Sequence, residues 1–273
     1  MNFDKSQDTS QPRRSPIRFP ALRVAGQSVD EEITRLSERF NDRLLLATVC
    51  IVLTLFEWFR WWDASPLNPW PLTAVTTCIL VFTAWAIARH RREIANLRLG
   101  REGERTVGHA LEELRAQGYK VFHDIPAPNF NIDHVIAGPA GIYTIETKTM
   151  SKPLRGNPKV IYDGDSLWRD DGWRMDKHLA QACAQAGWLA DLLKQGGRTA
   201  YPVRPVVIFP GWWVENVAPK EKHDVWVLNE KALSSFLAHE PAILSSDAVD
   251  AVANCLMQYC RFSPSGHNTG GGN

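Results

Sequence analysis

Two apolar stretches, residues 44–62 and 70–88, lie close together near the start of the chain. Each approaches the roughly 20 residues that a helix needs to cross hydrocarbon. Two buried helices of a soluble domain would also be apolar. They would not explain why Trp58, Trp61, Trp62 and Trp70 gather where the two stretches are joined, as the aromatic belt of a membrane interface does. The pair therefore reads as a transmembrane hairpin. More than forty mostly polar residues precede residue 44 and no small-residue cleavage site follows residue 62, so a removable secretory signal is not expected. Arg35, Arg39 and Arg43 precede the first stretch, Arg89, Arg91 and Arg92 follow the second, and the linker 63–69 holds no Lys or Arg. The positive-inside rule then puts both ends in the cytoplasm. Glu57 is costly in lipid, but Arg60 stands one turn on and can pair with it, so the hairpin reads as an anchor rather than a pore.

The 273 residues could hold one ordinary domain plus appendages, or two small domains. With 31 Lys and Arg against 30 Asp and Glu there is no global positive field, so any contact with nucleic acid must be local. The five cysteines, Cys50, Cys78, Cys183, Cys255 and Cys260, suggest neither a disulfide framework nor zinc spacing. Residues 1–27 and 263–273 lack periodicity and are expected to be disordered. Ser28 and Glu31 have the spacing of a capping box, which would start a juxtamembrane helix over residues 28–43. The hairpin with its basic flank covers residues 44–92, and a folded domain covers residues 97–262.

Within that domain the chain continues as helix after Arg92, with Val107, Ala110, Leu111 and Leu114 at helical spacing until Gly118 supplies a stop. Strands are expected over 119–124, 132–137 and 142–149, the last two joined by the turn residues Gly138, Pro139, Ala140 and Gly141. Residues 159–162 and 166–174 suggest a meander, 176–195 an amphipathic helix, and 203–209 a buried strand. A further strand near 225–228 and helices near 230–238 and 246–260 complete a mixed α/β order.

The chemistry gathers at Asp133 and at Glu146-Thr147-Lys148. Alternation along a strand points Glu146 and Lys148 to one face, and the hairpin lets Asp133 join them. Two carboxylates sharing a site repel unless a cation neutralises them, and hard oxygen ligands suit Mg²⁺ or Mn²⁺. A lysine beside such an ion can assist water attack on phosphorus. Glu104 shares the inward helix face of Val107 and Leu111, so its carboxylate also needs a partner, as direct ligand or behind a bound water. A structural salt bridge between Glu146 and Lys148 would use the same residues. His134, next to Asp133, points to the opposite face and reads as a packing histidine. Lys152, Arg155, Lys159, Arg169 and Arg174, with Trp168 and Trp173, could form a basic path for phosphates and bases, or simply solvated hairpins.

Four linked motifs, Gly100-Arg101-Glu102-Gly103-Glu104, Asn131-Ile132-Asp133-His134-Val135, Gly138-Pro139-Ala140-Gly141-Ile142-Tyr143 and Glu146-Thr147-Lys148, resemble the NERD (nuclease-related) pattern of the PD-(D/E)XK nuclease superfamily. The resemblance covers residues 97–210. It implies an α/β, restriction-endonuclease-like mixed sheet flanked by helices, here preceded by the two transmembrane helices. It also implies a nuclease dependent on Mg²⁺ or Mn²⁺, with Asp133, Glu146 and Glu104 as the metal group, Lys148 beside them, and Gln181 as the glutamine that positions the site from the following helix. Lys177 and His178 stand where the family often has Asn-Pro, which bears on where that helix starts. Nucleic acid is the implied partner, DNA ahead of RNA. A homodimer is one expectation, because nucleases that cut both strands of a duplex often pair two sites. Together with the hairpin, this reading gives a protein integral to the plasma (inner) membrane of a bacterium, with its nuclease domain in the cytoplasm. The alternative is a non-catalytic membrane-tethered module that binds nucleic acid or a protein through the same fold.

Overall fold

A computed structural model describes residues 22–63, 68–152, 159–197, 200–219 and 224–262. Helices α1 (Gln27–Trp62) and α2 (Trp70–Glu112) run antiparallel, each continuous well past its apolar stretch. Their shared face is made of small residues, with Ala47, Thr54, Thr76, Thr83 and Ala86 buried between them. Thr54 and Thr76 hydroxyls lie 2.7 Å apart, and the Trp58 indole donates to Thr73 Oγ1 at 2.8 Å. Close backbone approach through small residues, reinforced by hydroxyl hydrogen bonds, is how helices associate where water offers no hydrophobic drive. The outward faces are large and apolar, with Leu45, Val52, Val81 and Trp85 all more than half exposed, so these are not core helices of the described fold. Glu57 pairs with Arg60 at 3.4 Å, as their spacing suggested.

Two details at the start of α1 differ from expectation. The capping box does not form: the N-cap is Gly26, in the left-handed region at φ 75°, with no side-chain cap. Ser28 N–H instead donates to Asp124 Oδ2 at 2.8 Å, and Glu31 receives Arg23 and Gln27. Residues 22–26, placed by sequence at the end of a disordered arm, are held by these same long-range bonds. The rest of that arm and residues 263–273 lie outside the described residues.

After α2 a short 3-10 turn (Glu113–Gln117) ends at Gly118, whose φ of 86° favours glycine. Strands β1 (Lys120–Pro126), β2 (Asn131–Gly138) and β3 (Gly141–Thr147) are successive antiparallel neighbours, with Gly138 paired to Gly141 across the tight turn. Strand β6 (Val203–Ile208) adds to β3 in parallel, and β8 (Trp226–Leu228) adds to β6 in parallel. Among the described residues these five form one mixed sheet in the order β1-β2-β3-β6-β8.

One face of that sheet packs Val121, Ile136, Tyr143 and Ile145 against Val107 and Leu111 of α2 and Leu233 and Leu237 of α4 (Ala232–His239). The other packs Ile132, Val135 and Ile142 against Leu189 and Leu193 of α3 (Lys177–Gly197) and Val252 and Leu256 of α5 (Ser246–Phe262). The expected meander is β4 (Lys159–Tyr162) with β5 (Leu167–Arg169). It gains β7 (Trp213–Asn216) as a parallel partner of β4, making a second, smaller sheet. The fold is α/β, a mixed sheet flanked by helices and preceded by two long apolar helices.

Candidate active site

Every residue of β3 is buried, which follows from a strand covered on both faces and flanked on both edges. Its end therefore brings Glu146 into the interior at 2% exposure, where a carboxylate needs partners. Helix α3 supplies two of them from residues four apart on one face. Gln181 Nε2 donates to Oε1 at 2.8 Å and Gln185 Nε2 to Oε2 at 2.5 Å. Lys148 Nζ stands 2.5 Å from Oε1. Gln185 also donates to Asn131 O at 3.2 Å, which ties α3 to the start of β2.

Asp133 comes from β2. The ladder pairs His123 with His134 and Ile125 with Ile132, leaving Asp124 and Asp133 between them without a register partner. Asp133 Oδ2 turns to β3 and accepts the Thr147 N–H at 2.7 Å. Glu104 arrives from the other side because of Gly103: a Cβ there would lie 1.7 Å from Thr149 Oγ1. Only glycine lets α2 come so close to the chain leaving β3, and that approach sets Glu104 beside the other acids.

Burial and mutual repulsion set the electrostatics of these acids. Withdrawal from water raises Asp133 well above the usual carboxylate range, and the charges of Glu146 and Glu104 add to it. Glu104 is raised to about 7, first by burial, then by Asp124 and Glu146; Lys148 and the backbone N–H of Gly26 oppose the shift. Three oxygen donors of this kind suit a hard divalent ion. Among the described residues, however, no three His, Cys, Asp or Glu side chains come close enough together to hold a metal ion. Lys148 balances the charge of Glu146.

His134 lies on the opposite face, as its position beside Asp133 predicts. It is fully buried, its Nδ1 is 2.9 Å from His123 Nδ1, and His123 Nε2 meets Glu112 at 2.8 Å. Burial, then the neighbouring His123, pushes His134 down to about 3, so it is neutral at ordinary pH.

Of the basic residues considered for phosphate contact, Lys152 donates to Gly211 O and lies 5.8 Å over the Trp212 ring. Arg169 is bound to Asp171, and Arg174 to Asp176 and Ser166. Arg155 lies outside the described residues. These cations face local carboxylates or carbonyls rather than converging on Asp133 and Glu146.

Residues 99–210 match the family model for NERD, the nuclease-related domain. Over that stretch the chain is similar to the nuclease-related domain. No curated protein and no solved structure matches the chain. The matched part begins in the last turns of α2 and ends just after β6, so it contains Glu104, Asp133, Glu146, Lys148 and Gln181. Sequence reasoning missed Gln185, whose only signal was its four-residue spacing from Gln181, and it missed Asp124 and Gly26, which carry no local signal.

Proposed function

We propose that this protein is a membrane-anchored, divalent-metal-dependent nuclease that hydrolyses phosphodiester bonds of nucleic acid, DNA ahead of RNA, at the cytoplasmic face. The observation that supports it most is the buried Glu146, gripped by Gln181, Gln185 and Lys148 next to Asp133, within a nuclease-related domain. Asp133 and Glu146 would hold Mg²⁺ or Mn²⁺, with Glu104 supporting through a bound water. The ion would supply charge stabilisation for the phosphate and an acidified water. Gln181 and Gln185 fix the Glu146 carboxylate in one orientation. Lys148, on the same face, would hold the attacking water or offset charge on the phosphate oxygens.

Anchoring rests on the exposed apolar faces of α1 and α2, and orientation on the arginines that flank them. From Ala88 to Glu104, α2 is unbroken, so the acidic site would stand roughly 24 Å from the hydrocarbon edge at 1.5 Å per residue.

A non-catalytic tethered binding module is the second reading, favoured by one observation: both oxygens of Glu146 are already engaged by protein donors. Purified full-length chain in detergent, given circular duplex DNA, single-stranded DNA and RNA with Mg²⁺, Mn²⁺ or EDTA, separates the two. Cleavage lost in EDTA and in both Lys148→Ala and Asp133→Ala supports the nuclease. Folded protein that retains nucleic acid but cuts none of it under any metal overturns the nuclease in favour of the module.

A further inference from the structure

The residues just before and at the start of α1 belong to the far end of the hairpin in sequence, yet they are fastened to the acidic site. Asp124, 2% exposed and at φ 50°, accepts Arg23 Nε at 2.7 Å and Ser28 N–H at 2.8 Å on Oδ2, and Asn131 Nδ2 at 3.0 Å on Oδ1. Arg23 also meets Glu31 at 3.0 Å, which closes this strap on itself. Asp30 takes Arg101 and Arg105 of α2, each at 2.6 Å, from either side of Glu104 along the helix.

Between these fastenings the strap lies directly on α2. Ala25 sits so close to Gly108 that a Cβ there would be 2.8 Å from the Ala25 Cβ, and Arg101 packs against Gly26. At the centre, Gly26 lies against Arg101, one turn before Glu104, and its backbone N–H lowers the Glu104 carboxyl against the effect of burial. Gly26 holds a positive φ, which other residues adopt at a cost. A segment that merely preceded α1 would not require a buried aspartate with three donors and two close glycine contacts on α2.

We infer that the strap formed by residues 23–30 is part of the acidic site: Asp124 and Arg23 hold it so that Gly26 positions Glu104. The apolar hairpin is then not a detachable anchor, because its two cytoplasmic ends meet on one site residue. A shift of α1 against α2 would be felt at Glu104. Arg23, Gly26 and Asp124 act through Glu104 and are positioning residues.

This rests on the nuclease reading for its activity arm only. The test is a double-mutant cycle in the full chain, Arg23→Ala with Glu104→Gln, read as kcat with Mg²⁺ and as melting temperature in EDTA. Arg23→Lys serves as the conservative variant, and Asp124→Asn, which tolerates the positive φ, as a second probe. In the wild-type background Arg23→Ala and Asp124→Asn should each lower kcat about 10- to 100-fold, as loss of groups that orient a metal-site carboxylate does. Neither should lower it further when Glu104 is already Gln, and Arg23→Lys should restore it. The melting shifts of Arg23→Ala and Glu104→Gln should likewise fail to add. Equal falls in both backgrounds with additive melting shifts would overturn the inference, leaving the strap as mere packing. If the wild type cuts nothing, the nuclease reading fails and the melting cycle alone decides: coupling supports the strap, additivity overturns it.

Discussion

Replacing Glu104 by Gln removes one of the crowded carboxylates, and the stability effect should depend on pH in a calculable way. Glu104 is raised from an ordinary 4.5 to about 7, by burial first and then by the charges of Asp124 and Glu146. Between those values the folded chain keeps a proton that the unfolded chain has released, so stability falls as pH rises through that window. At about 1.4 kcal/mol per pH unit the whole shift corresponds to roughly 3 kcal/mol. Some is already lost by about pH 5, and water on the open side of Glu104 screens the remainder, leaving about 2 kcal/mol between about pH 5 and about pH 8. His134 and His178 act in the opposite sense. Burial holds them at about 3 and about 4, below their ordinary 6.5, so they favour the folded state increasingly as pH rises to that value. The wild-type profile mixes these effects, and the quantity to follow is variant minus wild type. Thermal unfolding of the full chain in EDTA, followed by circular dichroism, should show Glu104→Gln gaining about 2 kcal/mol on wild type across the window. For a folded part of this size that is about 4–8 °C in Tm. Parallel curves with a constant offset would refute the account of Glu104 as a proton-holding member of an uncompensated acidic site.

Three further outcomes follow from the same geometry. Glycine to alanine inside a helix ordinarily stabilises by up to about 1 kcal/mol, but Gly103→Ala collides with Thr149 and should destabilise by about 1–3 kcal/mol in urea unfolding. Gln185→Leu strips a donor from both Glu146 Oε2 and Asn131 O, and should cost about 2 kcal/mol by the same assay. With the five native cysteines replaced, Asn68→Cys should react with an impermeant maleimide added outside intact cells and Arg105→Cys only after lysis; the reverse pattern would invert the proposed orientation.

Which parts of the site are legible in the sequence depends on how far each residue's partner lies along the chain. Glu146 and Lys148 share a face by strand alternation alone, and Asp133 joins them through a turn spelled out by Gly138, Pro139, Ala140 and Gly141. Glu104 shows itself by its helical spacing from Val107 and Leu111. Gln185 does not, because an amide on an amphipathic helix reads the same whether it faces water or a carboxylate 39 residues away. The capping box fails for a related reason. In a capping box the Ser28 N–H would go to Glu31, but a buried Asp124 carboxylate 96 residues on takes it and also binds Arg23, while Glu31 turns to Arg23 and Gln27. That competition also explains why the strap looks like the end of a disordered arm: it has little apolar periodicity of its own, and its order comes from Asp124, Arg101 and Arg105. Apolar pattern predicts elements that bury their own faces. A segment held by the charges of others becomes visible only once those charges have been brought together, which is why the hairpin's link to the acidic site had to be read from the fold.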